Sequence, residues 1–270
     1  MSSSGTTAVT TDGPASLAAP DPGWRRWLAA AALILVVVCL VPPVSTLAGR
    51  YVVAETAQFA VFAMIVPALL VLSGLSRLPG LAALAGRLAS SHRRIPSFMR
   101  SLAVLAVFGL VAVFWRLPAV VDAVARHQAL AVAEMASLLI TGAALWLEIV
   151  AAPPVRPRGH ELHRAVIATF AMWLTWAIAY ILGFANHGVF HAFRYVPGGP
   201  LSAVADQELA TAVMWAVAGA CFLPVIITAG FSWLRDSDDV EQELNRVTDA
   251  TGLPAVRGWG PPRGGKASSA

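Results

Sequence analysis

Residues 206–233 read DQELATAVMWAVAGACFLPVIITAGFSW. Asp206, Gln207 and Glu208 open the run, and from Leu209 to Trp233 no charged side chain follows. A helix needs about 20 such residues to cross about 30 Å of bilayer hydrocarbon, and this stretch is long enough. Working outward, the same pattern recurs at Trp27–Leu47, Glu55–Leu72, Phe98–Trp115, Gln128–Val150 and Arg164–Phe184. With Gln207–Trp233 as the last, the chain reads as an all-α, polytopic transmembrane helix bundle of about six spans.

Composition agrees. Of 270 residues, 57% are hydrophobic and 13% charged; soluble domains carry about 25% charged residues. The net charge of +4 comes without a basic-aromatic stripe or a zinc pattern, so it does not point to nucleic acid. Of the 19 basic residues, Arg50, Arg116, Arg126 and Arg194 fall on one side of the spans and all others on the opposite side. The positive-inside rule then puts both termini in the cytoplasm, in a bacterial inner membrane. Cys39 and Cys221 lie inside apolar runs, so no disulfide framework is expected.

Residues 1–22 form a polar, low-complexity tail expected to be disordered. The transmembrane domain covers 23–234. A cytoplasmic tail, 235–270, opens with the acidic DSDDVEQE and closes rich in Gly and Pro, with a helical turn or two expected near 240–247. The first run, with Arg25 and Arg26 before it and Thr46-Leu47-Ala48 after it, has features of a signal peptide. Its length favours retention as a span. Leu78, Leu81, Leu84 and Leu88 recur at helical spacing before Arg93 and Arg94. That segment reads as an amphipathic helix on the anionic inner leaflet, with a solvated loop as the alternative.

Polar residues at membrane depth are informative because each is costly unless paired. Glu55, Arg116, Glu134, Asp206 and Gln207 all map near the outer face and are expected to form one polar cluster. Asp206 and Gln207 are expected to begin the last helix, with Asp206 capping it. Met135 and Met214 lie about 10 Å below the outer surface. Thioethers bind Cu(I), yet methionine also fills membrane cores. His187 and His191, spaced as ligands on one helical face would be, are metal candidates too, although Gly183 and Gly188 weaken a helix there. Interface anchoring is the other reading of that pair. His160 and His163 belong to an inner loop. Walker, Ser-His-Asp and His-Glu-x-x-His signatures are missing, so no catalytic residues are assigned.

Several blocks, in shared order over about residues 40 to 234, resemble the multi-helix membrane CtaG family, assembly factors for haem-copper cytochrome c oxidase. VPPVSTLAGRY is similar to the end of its first matched helix. QFAVFAMIVPALLVLSG resembles its second, with Gln58, Pro67 and Gly74 in place. WRLPAVVDAV resembles a Trp-His-Leu-Pro block, and AEMASLLITGAALW a helix carrying Glu134 and Gly142. LSAVADQELATAVMW resembles the Asp-Gln helix with its Met-Trp.

The resemblance implies a role in building the oxidase, with supply of copper to its subunits as part of the family's work. It also implies histidines at the positions of Glu55, Phe59, Arg116, Ala131 and Met135, and this chain has none there. Glu55, with Glu134 beside it, is instead expected to pair with Arg116 where relatives would hold copper. The function expected is an assembly or accessory factor, not an enzyme. No cofactor is expected, though copper is possible. Its partners would be oxidase subunits, other assembly factors and membrane lipid. A transporter of copper or another small solute, or a membrane hydrolase, are the alternatives.

The charge asymmetry makes a topological prediction. A periplasmic reporter fused after Ala270 should be inactive, and one inserted near Gly198 active. The reverse pattern would invert every side assignment made above.

Overall fold

The computed structural model describes residues 23–74, 97–150, 161–185, 187–193 and 201–251. The N-terminal tail, the amphipathic segment 78–94 and His160 lie outside these residues. The elements are α1 (Trp24–Leu40), α2 (Val44–Ala48), α3 (Val52–Leu72), α4 (Ser97–Trp115), α5 (Pro118–Val124), α6 (Gln128–Ile149), α7 (Glu161–Gly183), a 3₁₀ turn (His191–Phe193) and α8 (Ala203–Thr251). Among the described residues there is no strand.

Among the described residues five helices are long and apolar enough to cross a membrane: α3, α4 from Phe98, α6, α7 from Leu162, and α8 up to Arg235. The first expected span differs. It is a 17-residue helix ending at Leu40, followed by the short α2. Pro42 and Pro43 cause the break, because proline lacks an N–H and its ring clashes with the preceding turn. The segment after Trp115 also separates, as α5, which Pro118 opens at its first position. The last helix runs past its expected end at Trp233 to Thr251. Residues 236–251 contain neither Gly nor Pro and include the helix formers Glu, Gln, Leu and Arg, so nothing local stops the helix before Gly252.

The protein is a membrane helical bundle, apolar at its centre like a soluble bundle and apolar on its outer faces as well. Phe108, Leu138, Leu145, Ile149, Met214 and Phe222 fill the centre, and Trp146 stacks on Phe222 with ring centroids 5.6 Å apart. Outward faces are equally apolar: Leu110, Ile140, Ile181 and Phe231 are all exposed. Such patches suit lipid and would be an aggregation liability in water.

At mid-span α3 loosens into a π turn, Val61–Ile65, followed by Pro67. A π turn widens the helix locally. Here it sits against Gly142 of α6. A Cβ on Gly142 would strike the Ala63 carbonyl oxygen and come within 2.9 Å of Pro67 Cγ. The glycine is therefore what lets α3 and α6 touch backbone to backbone. Gly142→Ala should lower thermal stability in detergent by about 1–3 kcal/mol, the usual cost of overpacking. Gly230→Ala, with nothing within 4 Å, should be neutral or stabilising in the same assay.

Candidate functional site: a polar cluster at one end of the bundle

The ends of α4 and α7 and the starts of α3, α6 and α8 meet at one end of the bundle. Arg116, directly after α4, is at its centre with 3% of its side chain exposed. Its guanidinium grips Glu55 of α3 with both arms: Nη1–H to Oε2 at 2.9 Å and Nη2–H to Oε1 at 2.5 Å. Nη1 also donates to Thr56 Oγ1 at 3.1 Å. The Phe59 ring centroid lies 4.0 Å from Cζ, so the cation rests on an aromatic face. Glu55 and Phe59 are four residues apart and share one face of α3, which lets both meet Arg116.

Glu134 of α6 completes the cluster differently. Its Oε1 is 3.7 Å from Arg116 Nη2, an ion-pair distance, yet it accepts no hydrogen bond. Two carboxylates thus face one guanidinium, and Glu55 takes the hydrogen bonds.

Asp206 and Gln207 do something that their position in sequence did not reveal. α8 begins at Ala203, and its cap is Ser202, whose Oγ accepts from the Ala205 N–H at 3.2 Å. The expectation that Asp206 caps its own helix is therefore corrected. Its carboxylate accepts from the N–H groups of Val52 and Val53, at 2.6 and 3.0 Å, and so caps α3. Tyr51, the local cap residue of α3, offers no side-chain bond. A buried anion at a helix N-terminus is favourable both as acceptor and against the helix dipole. Gln207 serves the opposite kind of end. Its Nε2 donates to the Leu182 carbonyl at 2.7 Å near the end of α7, while its Oε1 accepts from the Val189 N–H at 3.0 Å. The acid satisfies orphan donors, and the amide satisfies an orphan acceptor and a loop donor. Trp215, further along α8, stacks on Trp176 at 5.1 Å.

The histidine pair does not share a helical face. α7 ends at Gly183, so His187 and His191 fall in the following loop and 3₁₀ turn. His187 is exposed. His191, 67% exposed, places Nδ1 3.2 Å from Asp122 Oδ2. Asp122 was missed by sequence reasoning. It is buried on α5, and its Oδ1 also accepts the Ala192 N–H at 2.8 Å, pinning the loop to α5. Its signal was a lone acid within the apolar PAVVDAV.

Two cavities adjoin the cluster. The larger, about 260 Å³, is lined by Glu55, Gln58, Phe59, Ala131, Glu134 and Met135 among others. Glu55, Phe59, Ala131 and Met135, four positions where the resemblance implies histidine, thus surround one space; Arg116 hydrogen-bonds Glu55 and rests on the Phe59 ring. The smaller cavity, about 10 Å³, lies against Arg116, Thr56, Gln207, Thr211 and Met214. Met135 lines the larger cavity and Met214 the smaller. Among the described residues no three of His, Cys, Asp or Glu cluster as a metal site would require. A guanidinium stands where an imidazole is implied and donates where a metal ligand must accept. The residues present do not fit copper at this place.

Removing Arg116 leaves Glu55 buried without its counter-charge, and removing Glu55 strips the guanidinium of both its hydrogen bonds to a carboxylate, each at about 3–5 kcal/mol. Glu55→Gln and Arg116→Gln should each lower thermal stability in detergent by more than the double variant does. Additive losses in that cycle would mean that the two side chains act independently.

No curated protein and no solved structure matches the chain. The family described as cytochrome c oxidase caa3 assembly factor matches residues 9–236, from the N-terminal tail to the inner part of α8. That span takes in α1 to α7, α8 as far as residue 236, and the whole polar cluster. The chain belongs to the caa3-type cytochrome c oxidase assembly factor family.

Proposed function

We propose that the protein is an assembly or accessory factor for a haem-copper cytochrome c oxidase, embedded in the bacterial inner membrane. It acts by contact with oxidase subunits or other assembly factors and not by catalysis, and it holds no copper at the Arg116 cluster. The observation that carries this reading is the way Glu55, Phe59 and Arg116 close on one another at positions where the family resemblance implies metal-binding histidines. An ion pair with an aromatic seat is a structural substitute for a metal: it neutralises charge and ties α3 to α4. Family membership supports the oxidase connection, and the exchange of ligand chemistry separates it from copper carriage.

Affinity purification in mild detergent, with haem absorption spectra and mass spectrometry of what accompanies the protein, tests the partner. Oxidase subunits or their assembly factors should co-purify. Metal analysis of the same sample should find copper well below one per chain. Copper bound one to one, and lost on Met135→Leu or Met214→Leu, would restore a carrier role. Solute uptake into proteoliposomes with no oxidase component in the eluate would favour a transporter.

A further inference from the structure

The larger cavity, about 260 Å³, is walled by α1, α2, α3, α5 and α6. Its hydrogen-bonding groups are of both kinds. Gln128, the exposed first residue of α6, stands at the rim, and Ser45 of α2 adds a hydroxyl. Neither side chain is engaged by a protein group among the described residues. Gln58 gives one N–H to the Cys39 carbonyl at 2.5 Å and keeps its second N–H and its amide oxygen. It lies about 9 Å beyond the start of α3, at 1.5 Å per residue. The two carboxyl groups in the lining are turned elsewhere: Glu55 is held by Arg116, and Glu134 Oε1 faces the same guanidinium at 3.7 Å. Phe62 and Leu138 make the deep end apolar. Leu40 of α1 and Val132 of α6 also line the space, yet they are 51% and 59% exposed. The rim between α1 and α6 is therefore apolar and faces lipid.

We propose that this cavity binds an uncharged amphiphile from the bilayer, a hydroxyl-bearing head on a hydrocarbon chain, as in a long-chain alcohol or a glyceride. The head sits among Ser45, Gln58 and Gln128, its first carbons pack on Phe59 and Phe62, and the chain leaves past Leu40 and Val132 into lipid. The available groups select this class. A hydroxyl both donates and accepts, and so do the side chains of Ser45, Gln58 and Gln128. An ammonium head only donates and would leave the amide N–H groups without an acceptor. An anionic head only accepts, and it would lie beside Glu55 and Glu134. Either charge would be taken out of water with no counter-charge left over, because Arg116 is already shared between the two carboxyl groups. The lipid-facing rim favours entry from the bilayer over entry from water. The site is read from this chain's residues alone, so it stands or falls independently of the oxidase connection.

Photolabelling of the full chain in phosphatidylcholine vesicles tests it. The probes are hexadecanol, hexadecylammonium and hexadecylsulfonate, each with a diazirine close to the head, and labelled residues are mapped by mass spectrometry. The alcohol should label the cavity walls on α1, α2 and α6 saturably, and the two charged probes at least about 10-fold less, the factor set by an unmatched buried head group. Unlabelled hexadecanol or diacylglycerol should displace it, and which of them does so tells a one-chain from a two-chain occupant. Ala131→Phe fills the cavity and should abolish this labelling. Gln128→Leu, at an exposed position that leaves the core untouched, should weaken it roughly 2- to 10-fold through one lost hydrogen bond. It keeps the test open even if the filled variant does not fold. Labelling that does not saturate, that is equal for all three heads, that neither competitor displaces, or that persists unchanged in either folded variant would overturn the proposal.

Discussion

Arg116 brings a guanidinium cation into the bundle, and the fold buries it with 3% of its side chain exposed. Glu55, Thr56, Phe59 and Glu134 answer to this constraint. An unpaired ion in such surroundings costs several kcal/mol, so α3 must present Glu55, Thr56 and Phe59 in one register. A rotation of α3 by one residue would swing Glu55 and Phe59 away together, because both depend on the same helical face. Such a pair adds little net stability against an apolar core of the same volume. What it supplies is orientation: among the packings open to smooth apolar helices, it admits those that bring α3 to the end of α4.

The same logic repeats at other places where helices end. Lipid offers no hydrogen bonds, so the orphan groups of each helix terminus need partners from the protein. Asp206 and Gln207 provide them for α3 and α7, and Asp122 ties down the loop after α7. At the opposite end Glu148 of α6 accepts from Arg100 Nη2 at 2.8 Å and from Ser101 Oγ at 2.7 Å, while Arg164 Nε donates to the Ile149 carbonyl at 2.9 Å. The bundle is thus apolar along its length and fastened at both ends. Close backbone packing, as at Gly142, holds the middle, where association cannot rely on a hydrophobic driving force.

The spans were legible in sequence because hydropathy over about 20 residues is a strong signal. The meeting of Glu55 with Arg116 was legible too, since charges at one depth in a membrane have few partners to choose from. Other features were hidden for stated reasons. Pro42-Pro43 ended α1, where the apolar run masked a backbone veto. Asp206 sits four residues into its helix, past the capping position that Ser202 takes, and the neighbouring helix that its carboxylate caps instead is tertiary information. Asp122 looked like an isolated acid because its partners, His191 and Ala192, lie across the fold. The histidine pair kept its spacing in sequence but lost its shared face once α7 stopped at Gly183.

The cap on α3 has a consequence for how the molecule is made. Ribosomes deliver the chain from its N-terminus, so α3 enters the membrane well before the residue that satisfies its first turn has been synthesised. Until α8 arrives, the N–H groups of Val52 and Val53 have to face headgroup water, and the start of α3 cannot sink into its final seat. Asp206 thereby couples the last span to the first turn of an early one. A nascent chain released before α8 would display an uncapped helix end at the membrane surface.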